Sequence, residues 1–484
     1  MKVLDKIVSS RAYYFVLFLV VFVFTLLFSF SASPLYLHWG DDCIAYEQMG
    51  HLILHGGTPY VDIFDHKGLL LYLLNALGLF INQHWGIFAL QVVFLFATLF
   101  IWDKILVELQ LGGSRFVVLL VSLLLILCFY QGGNYTEDWS LPFISVPLLF
   151  AIRAIYRQSK ITLGQYLVVG ICCCALTFIR INNAMPFIGF YIYDVVCDGV
   201  KKNWKEAFQK VGAALAGFVL CALPFVAFFI VKAGLEGVDA MLYGMFGFNF
   251  GYTRQIGDEM DVKKQLVYYA SWLPLVLLIL FNRKKKELWI PLLLSLFMTV
   301  FFIWKRTYPH YLLILLPLYV LVMGQLLQER KNWYFCIMVL LVTGLWAPTL
   351  FQIGMRCRRE IVHNKVWYRE GFEAFHEFTQ RLSDEEKNSI FNYNSWFSLA
   401  LLNHEDIVQC NRIFLWTMPS QSERLFEECK NERVDYYDPQ YILFQSNLGW
   451  RPVDSAYCFE HYDMVLQFYG VFDEPIQIYE RKSE

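Results

Sequence analysis

Stretches of about 20 apolar residues recur from Tyr13 to about Gly354, each long enough to cross roughly 30 Å of hydrocarbon. In lipid, every backbone amide must find its partner inside the chain, so repeated runs of this length fold as spanning helices. The runs are continuous rather than alternating, which excludes a transmembrane β-barrel. Composition agrees. Of 484 residues, 57% are hydrophobic and 17% charged, and a soluble chain of this size carries far more charge. The first run is followed by Ser31-Ala32-Ser33, small residues of the cleavage-site kind. That run is too long for the apolar centre of a signal peptide and reads as a retained span. The net charge of −2 points to no class of partner.

The spans read as Tyr13–Ser33, Trp85–Val107, Arg115–Gln131, Leu141–Tyr156, Leu163–Ile179, Ala184–Val200, Val211–Val231, Leu266–Phe281, Leu288–Trp304, Tyr311–Leu327 and Trp333–Ile353. Gly68–Ile81 is short for a crossing and suits an interfacial or re-entrant helix. Lysine and arginine fix the parity. If Gly68–Ile81 does not cross and the N-terminus is cytoplasmic, the inside loops hold Lys104 and Arg115, then Arg153, Arg157 and Lys160, then Lys201, Lys202, Lys205 and Lys210, then Arg283 to Lys286, and finally Arg330 with Lys331. This obeys the positive-inside rule. The sequence therefore predicts a polytopic α-helical membrane protein with about 11 transmembrane helices, N-terminus inside. Residues 34–84 form its first outer loop.

Past Gly354 the composition becomes that of a soluble domain. SIFNYN, YILFQS, MVLQFYG and IQIYER read as short strands, with helices at Glu370–Leu382 and Ser420–Glu432. The organisation expected is a membrane domain over 1–354 and a small extracytoplasmic α/β domain over 355–484. Of the twelve cysteines, Cys172, Cys173 and Cys174 lie in an apolar run as packing residues. Cys357, Cys410, Cys429 and Cys458 fall in the outer segment, where disulfides are permitted.

Acidic motifs and isolated cations gather on the outer face. Asp41 and Asp42 open a helical stretch whose apolar face holds Ile44, Met49, Leu52 and Ile53. They read either as helix caps or as a carboxylate that takes a proton from an acceptor hydroxyl. Asp65-His66-Lys67-Gly68 precedes the short apolar helix. Lys67 there could snorkel to lipid headgroups or hold the phosphate of a lipid-linked substrate. Glu137 and Asp138 form a second acidic pair at a helix start, as caps or as site residues. Arg180 ends an apolar span beside Asn182 and Asn183, and arginine binds phosphate in two-pronged fashion. Lys305, Arg306 and His310 add a third basic cluster. His51 and His55, one helical turn apart, have metal-ligand spacing but no third ligand follows.

Four motifs together resemble the GT-C superfamily of integral-membrane glycosyltransferases, in its family 39-like branch, which includes protein O-mannosyltransferases and the lipid A aminoarabinose transferase. The first is Asp42, Tyr46, Gly50, Leu54, Gly56, Pro59, Tyr60, Asp62 and Phe64, then Asp65-His66-Lys67-Gly68, Leu71-Tyr72 and Asn75. The second is Thr136-Glu137-Asp138 with Leu141-Pro142. The third is Arg180-Ile181-Asn182-Asn183-Ala184, and the fourth Tyr308 to Tyr311. The match covers roughly residues 10 to 350. Leu69 and Ile181 stand where the family has prolines, which softens turns and removes no chemical group. The spacing to Tyr46 and Gly50 favours Asp42 over Asp41 as the first-loop acid.

The resemblance implies a GT-C fold with an interfacial-helix first outer loop. It implies a donor sugar on polyprenyl phosphate, with the phosphate near Lys67 and Arg180 and near Lys305, Arg306 and His310. His66, Tyr60, Asn182 and Asn183 join the substrate-binding set. Asp42, or Asp41, would be the general base, and direct attack at the anomeric carbon would invert configuration. Glu137 and Asp138 would orient the acceptor or hold a divalent cation, no cofactor being certain. The partners expected are the lipid donor, a glycan, lipid or protein acceptor, and the bilayer, with no nucleic acid. A bacterial cytoplasmic membrane is the expected location. A flippase of lipid-linked sugars shares the spans and cationic groups but has less need of acidic pairs at one surface. An O-antigen polymerase or ligase favours an arginine-rich late outer loop, whereas 232–264 holds a single central arginine, Arg254.

Overall fold

A computed structural model describes residues 2–38, 41–250, 262–276, 286–303, 308–363, 366, 368–393, 395–414, 422–446, 449, 451–470 and 474–483. The chain forms two compact units, each assembled from separated segments. One comprises Met1–Ser29, Phe88–Phe225 and Asp258–Cys357, the other Phe30–Ile87, Val226–Gly257 and Arg358–Glu484.

The first unit is helical. Among the described residues, six helices are long and apolar enough to cross a bilayer: Gly86–Glu108, Thr136–Arg157, Leu163–Val200, Trp204–Phe250, Lys286–Ile303 and Pro309–Gln328. Asn332–Leu345 and Ala347–Val362, meeting at 64°, add one more if counted as a single bent span. Tyr13–Phe28, Leu69–Ile81 and Ser114–Phe129 are shorter apolar helices. We label the elements used below α1 (Lys2–Ser9), α2 (Tyr13–Phe28), α3 (Asp41–Leu54), α4 (Leu69–Ile81), α5 (Gly86–Glu108), α6 (Ser114–Phe129), α7 (Thr136–Arg157), α8 (Leu163–Arg180), α9 (Met185–Val200) and α10 (Trp204–Leu242). A straight 38-residue rod from Leu163 to Val200 would measure about 57 Å, nearly twice the hydrocarbon thickness. The chain breaks there instead: Arg180 is extended (φ −163°, ψ 114°) and a 3₁₀ turn, Ile181–Ala184, leads into α9.

Charges sort to opposite ends of these helices. Asp103, fully buried near the end of α5, accepts from the Tyr13 hydroxyl at 2.8 Å and pairs with Arg115 of α6 at 2.9 Å. Glu108, one turn later, takes Arg153 at 2.9 Å and Arg157 at 2.8 Å, both from the end of α7. Lys210 of α10 ties to Asp194 and Asp198 of α9 at 2.7 and 2.5 Å. Glu137 stands at the other end of α7, about 30 Å from Arg157 at 1.5 Å per residue. Between the two ends, the core is packed with Leu, Ile and Phe, including Leu148, Ile152, Leu176, Phe187, Leu313 and Leu316.

The second unit joins Phe30–Ile87 and Val226–Gly257 to the C-terminal segment. Its sheet has strand order β1-β2-β4-β3, with β1 (Ile390–Tyr393) parallel to β2 (Tyr441–Gln445), and β4 (Pro475–Arg481) antiparallel to both β2 and β3 (Tyr462–Tyr469). All four strands fall on the segments expected from sequence. The helix expected at Glu370–Leu382 is observed as Arg369–Thr379. That at Ser420–Glu432 shortens to Glu423–Glu428 with a 3₁₀ turn after it. The helices Trp396–His404 and Pro452–His461 were not expected. Phe391, Ile442, Phe444 and Tyr462 pack one face of the sheet. All twelve cysteines are free thiols.

Helix α3 packs against both α4 and Trp396–His404. Its sequence offers a single apolar face, yet Glu47, Gln48 and His51 are also buried, because the C-terminal segment covers its polar side. Asn403 donates to the Ile44 carbonyl at 2.8 Å, and Gln48 to that of Ile407 at 3.2 Å. Gly50 lets α4 approach, since a Cβ there would stand 2.9 Å from the Ala76 nitrogen. His51 and His55 converge on Asp406 at 2.5 and 3.1 Å, so their one-turn spacing serves domain cohesion.

Candidate active site

The motifs singled out from sequence fall into two clusters of ionisable groups, one in each unit. In the second unit, Asp42 lies in the first turn of α3, and Tyr46, one turn on, donates its hydroxyl to Asp42 Oδ2 at 3.0 Å. The loop between α3 and α4 brings Lys67 to the same carboxylate. Its shape is set locally. Asp62 accepts the Thr58 N–H at 2.6 Å, and Tyr60 adopts left-handed backbone (φ 69°). Tyr60 is fully buried and donates its hydroxyl to the Lys67 carbonyl at 2.5 Å. Tyr72 of α4 accepts the Lys67 N–H at 3.1 Å and donates to Asp65 Oδ2 at 2.7 Å. The Asn249 amide holds the His66 carbonyl at 2.9 Å. Tyr60, expected to touch substrate, thus shapes the loop from within.

The loop so pinned lines up four groups. Asp65 Oδ1 lies 3.3 Å from His66 Nδ1. Lys67 Nζ lies 2.8 Å from His66 Nε2 and 3.5 Å from Asp42 Oδ2. An ammonium only donates, so Nε2 is the acceptor and the imidazole proton sits on Nδ1, facing Asp65. Burial and the Lys67 charge both lower the His66 pKa, against the pull of Asp65 and Asp42. Burial would raise the Asp65 carboxyl, but the His66 contact, the Lys67 charge and the Tyr72 hydroxyl hold it below the usual range. The row therefore reads carboxylate, neutral imidazole, ammonium, carboxylate. Side-chain exposure is 3% at Asp65, 11% at His66 and 9% at Lys67, and rises to 37% at Asp42. A single carboxylate of the row faces solvent, with a buried cation behind it.

The second cluster lies in the first unit. Arg180 Nη1 donates to Glu137 Oε1 at 2.8 Å, and Thr136 Oγ1 to Glu137 Oε2 at 2.8 Å. The guanidinium stands 4.0 Å from the centroid of the Tyr311 ring, a cation–π contact. Asn183 is buried and donates to Ser140 Oγ at 2.8 Å, while Asn182 is half-buried. His310 stacks on Tyr135 at 4.6 Å and bonds the Gln131 side chain. Asp138 closes a capping box, accepting the Tyr135 N–H at 3.1 Å. Both oxygens of Glu137 are engaged and Asp138 is turned to backbone, so this pair is not arranged as a cation site. No group of three or more His, Cys, Asp or Glu suited to a metal occurs among the described residues. The Asp41 side chain, Lys305 and Arg306 lie outside the described residues.

Sequence reasoning singled out His66 and Lys67 but gave no work to Asp65, Tyr72 or Asn249. Tyr72 sits in the apolar helix that follows the motif, one turn in, a position from which a hydroxyl can reach back to the loop. Asn249 and Asp406 carry no local signal, since their partners lie 183 and 355 residues away.

No family model matches the chain, and no curated protein matches it. Solved structures do. The archaeal oligosaccharyltransferase AglB from Archaeoglobus fulgidus, in complex with an inhibitory peptide and a dolichol-phosphate, superposes with a TM-score of 0.50 at 12% identity, covering 97% of this chain and 74% of that one. The same organism's oligosaccharyltransferase in the apo form gives 0.49 at 10% identity, covering 95% and 74%. The likeness is one of fold. The chain is a mostly helical protein with several apolar helices of membrane-spanning length and a small C-terminal sheet, in a fold like that of AglB.

Proposed function

We propose that this protein transfers a sugar from a polyprenyl-phosphate donor to an acceptor hydroxyl on the outer face of the membrane. The observation that carries this reading is the half-exposed Asp42 carboxylate, held between the Tyr46 hydroxyl and the buried Lys67 ammonium. A carboxylate kept ionised and oriented by a cation can take the acceptor's proton as its oxygen attacks. Lys67 Nζ stands 3.5 Å from the Asp42 carboxylate, and a donor phosphate arriving beside Asp42 would meet the same ammonium. The Arg180 guanidinium carries five N–H donors in a planar fork, more than one carboxylate takes up. It is a cationic group of the first unit suited by charge and shape to a phosphate. Attack opposite the leaving phosphate inverts the anomeric centre. The GT-C fold and the lipid phosphate and peptide bound by AglB support a lipid-linked donor and allow a protein acceptor. The N-terminus inside, the C-terminal segment outside and a bacterial cytoplasmic membrane complete the reading.

The test is turnover. Purified protein in detergent is given a panel of polyprenyl-phosphate sugars, with and without EDTA, and release of free polyprenyl phosphate is followed. Release that disappears in Asp42→Asn is expected. No release from any donor, together with passage of lipid-linked sugar across a proteoliposome bilayer, would make the protein a transporter.

A further inference from the structure

A cavity of about 160 Å³ opens in the second unit, on a part of α3 away from the Asp42 cluster. Glu47 of α3 lines it with Asn403 and His404 of the Trp396–His404 helix, Tyr36 and His38 of the segment before α3, and Phe372. Asp42 and Glu47 are five residues apart, so they point to different sides of the helix. A dry cavity of about this size holds a six-membered ring when its walls are aliphatic and aromatic. The walls here are of another kind.

Two features define what would fill it. Glu47 is 5% exposed and has its partner in His38, with Nδ1 at 3.4 Å from Oε1. Burial works against charge on His38, but Glu47 and the carbonyls of Ser33 and Ala32 outweigh it and raise its pKa. Glu47 is thus already answered by His38 inside the wall, and a neutral ligand leaves that contact undisturbed. Asn403 is 4% exposed, and its amide nitrogen is committed to the Ile44 carbonyl, which leaves Oδ1 buried with no hydrogen-bond partner among the described residues. A buried acceptor in that state costs stability until a donor reaches it. The cavity is therefore walled by a carboxylate and an amide side chain together with the rings of Tyr36 and Phe372, with the exposed His84 at its edge. A neutral ring carrying several hydroxyl donors and an apolar C–H face fits that lining.

We propose that this cavity is a binding subsite for one neutral monosaccharide unit. That the sugar belongs to a substrate rests on the transferase reading; the binding itself does not. Methyl glycosides of glucose, galactose and mannose are the probes, presented to the full-length protein in detergent and read by saturation-transfer-difference NMR. At least one is expected to show transfer, with affinity about tenfold lower in Glu47→Gln, the size of one charged hydrogen bond. His84→Ala, at an exposed position where folding is safe, should weaken binding by a smaller factor. Asp42→Asn should bind the glycoside as the wild type does. Where turnover is measurable, Glu47→Gln should raise KM for whichever substrate, donor or acceptor, supplies the sugar, with little change in kcat. Equal signals in wild type, Glu47→Gln and His84→Ala, or none with any glycoside, would mean a cavity filled by solvent only and would overturn the proposal. Glycoside binding without polyprenyl phosphate release would leave this subsite standing and remove the transferase reading.

Discussion

Lys67 Nζ lies 3.5 Å from Asp42 Oδ2, and Lys67 is 9% exposed at its side chain where Asp42 is 37%. The cation is therefore placed to serve the carboxylate from behind. Asp42→Asn should abolish transfer while expression and membrane insertion stay normal, a loss on the order of 10²–10⁴-fold for a general base. Asp41→Asn should cost much less. Full activity in Asp42→Asn would remove the assignment.

Lys67→Ala should lower kcat as well as donor affinity, because it leaves Asp42 without its cation and His66 without its donor. Lys67→Arg, which keeps the charge but not the shape, should recover part of the loss. A pure KM effect, measured by donor titration with kcat intact, would make Lys67 a phosphate ligand alone.

The His66 and Asp65 shifts set a pH dependence. Both pKa values are depressed in the folded protein. Their contribution is present above the unfolded values, roughly 6.5 for His and 3.9 for Asp, and is lost as pH falls through the folded ones. A protonated His66 also repels Lys67. Activity should decline on the acid side of about pH 6.5, and Asp65→Asn, which no longer fixes the imidazole proton on Nδ1, should reshape that limb. An unchanged pH–rate profile in Asp65→Asn would break the proposed row.

Arg180→Ala leaves Glu137, 1% exposed, without its partner. Removing one side of a buried pair typically costs about 3–5 kcal/mol, so the variant should melt earlier. Adding Glu137→Gln should restore much of the melting temperature and none of the donor affinity. Recovery of donor affinity in the double variant, by titration with a polyprenyl-phosphate sugar, would clear Arg180 of phosphate binding.

Glu405 ties the Trp396–His404 end to its neighbours. Burial would raise its pKa, but His404, His376 and Thr379 outweigh that and bring it down to about 2. Its stabilisation is present above the unfolded carboxyl value and vanishes as pH falls from about 4.5 towards 2. His376 is 53% exposed, so solvent screening limits the effect to about 1 kcal/mol. Glu405→Gln should lower the melting temperature at neutral pH and match the wild type near pH 2. An equal deficit at both pH values would point to lost packing instead.

The run of apolar helices, the four strands beyond Gly354 and the short α4 were legible in the sequence, because they rest on local properties. An apolar run of 20 residues has one low-energy solution in lipid, and alternation over a few residues marks a strand wherever it lies. What each charged side chain faces is not local. Lys67 could have snorkelled, Glu137 could have held an ion, and His51 with His55 could have bound a metal. Only the folded chain pairs them with Asp42, Arg180 and Asp406. Asp42 and Lys67 meet because Tyr60, Tyr72 and Asn249 pin one turn between two helices, and α3 is buried on its polar side because a segment some 350 residues later packs against it. Those contacts depend on the whole chain's path, which a window of sequence does not contain. The sequence alone determined which groups are available for chemistry, and the tertiary structure decided which carboxylate is left facing solvent with a buried cation at its back.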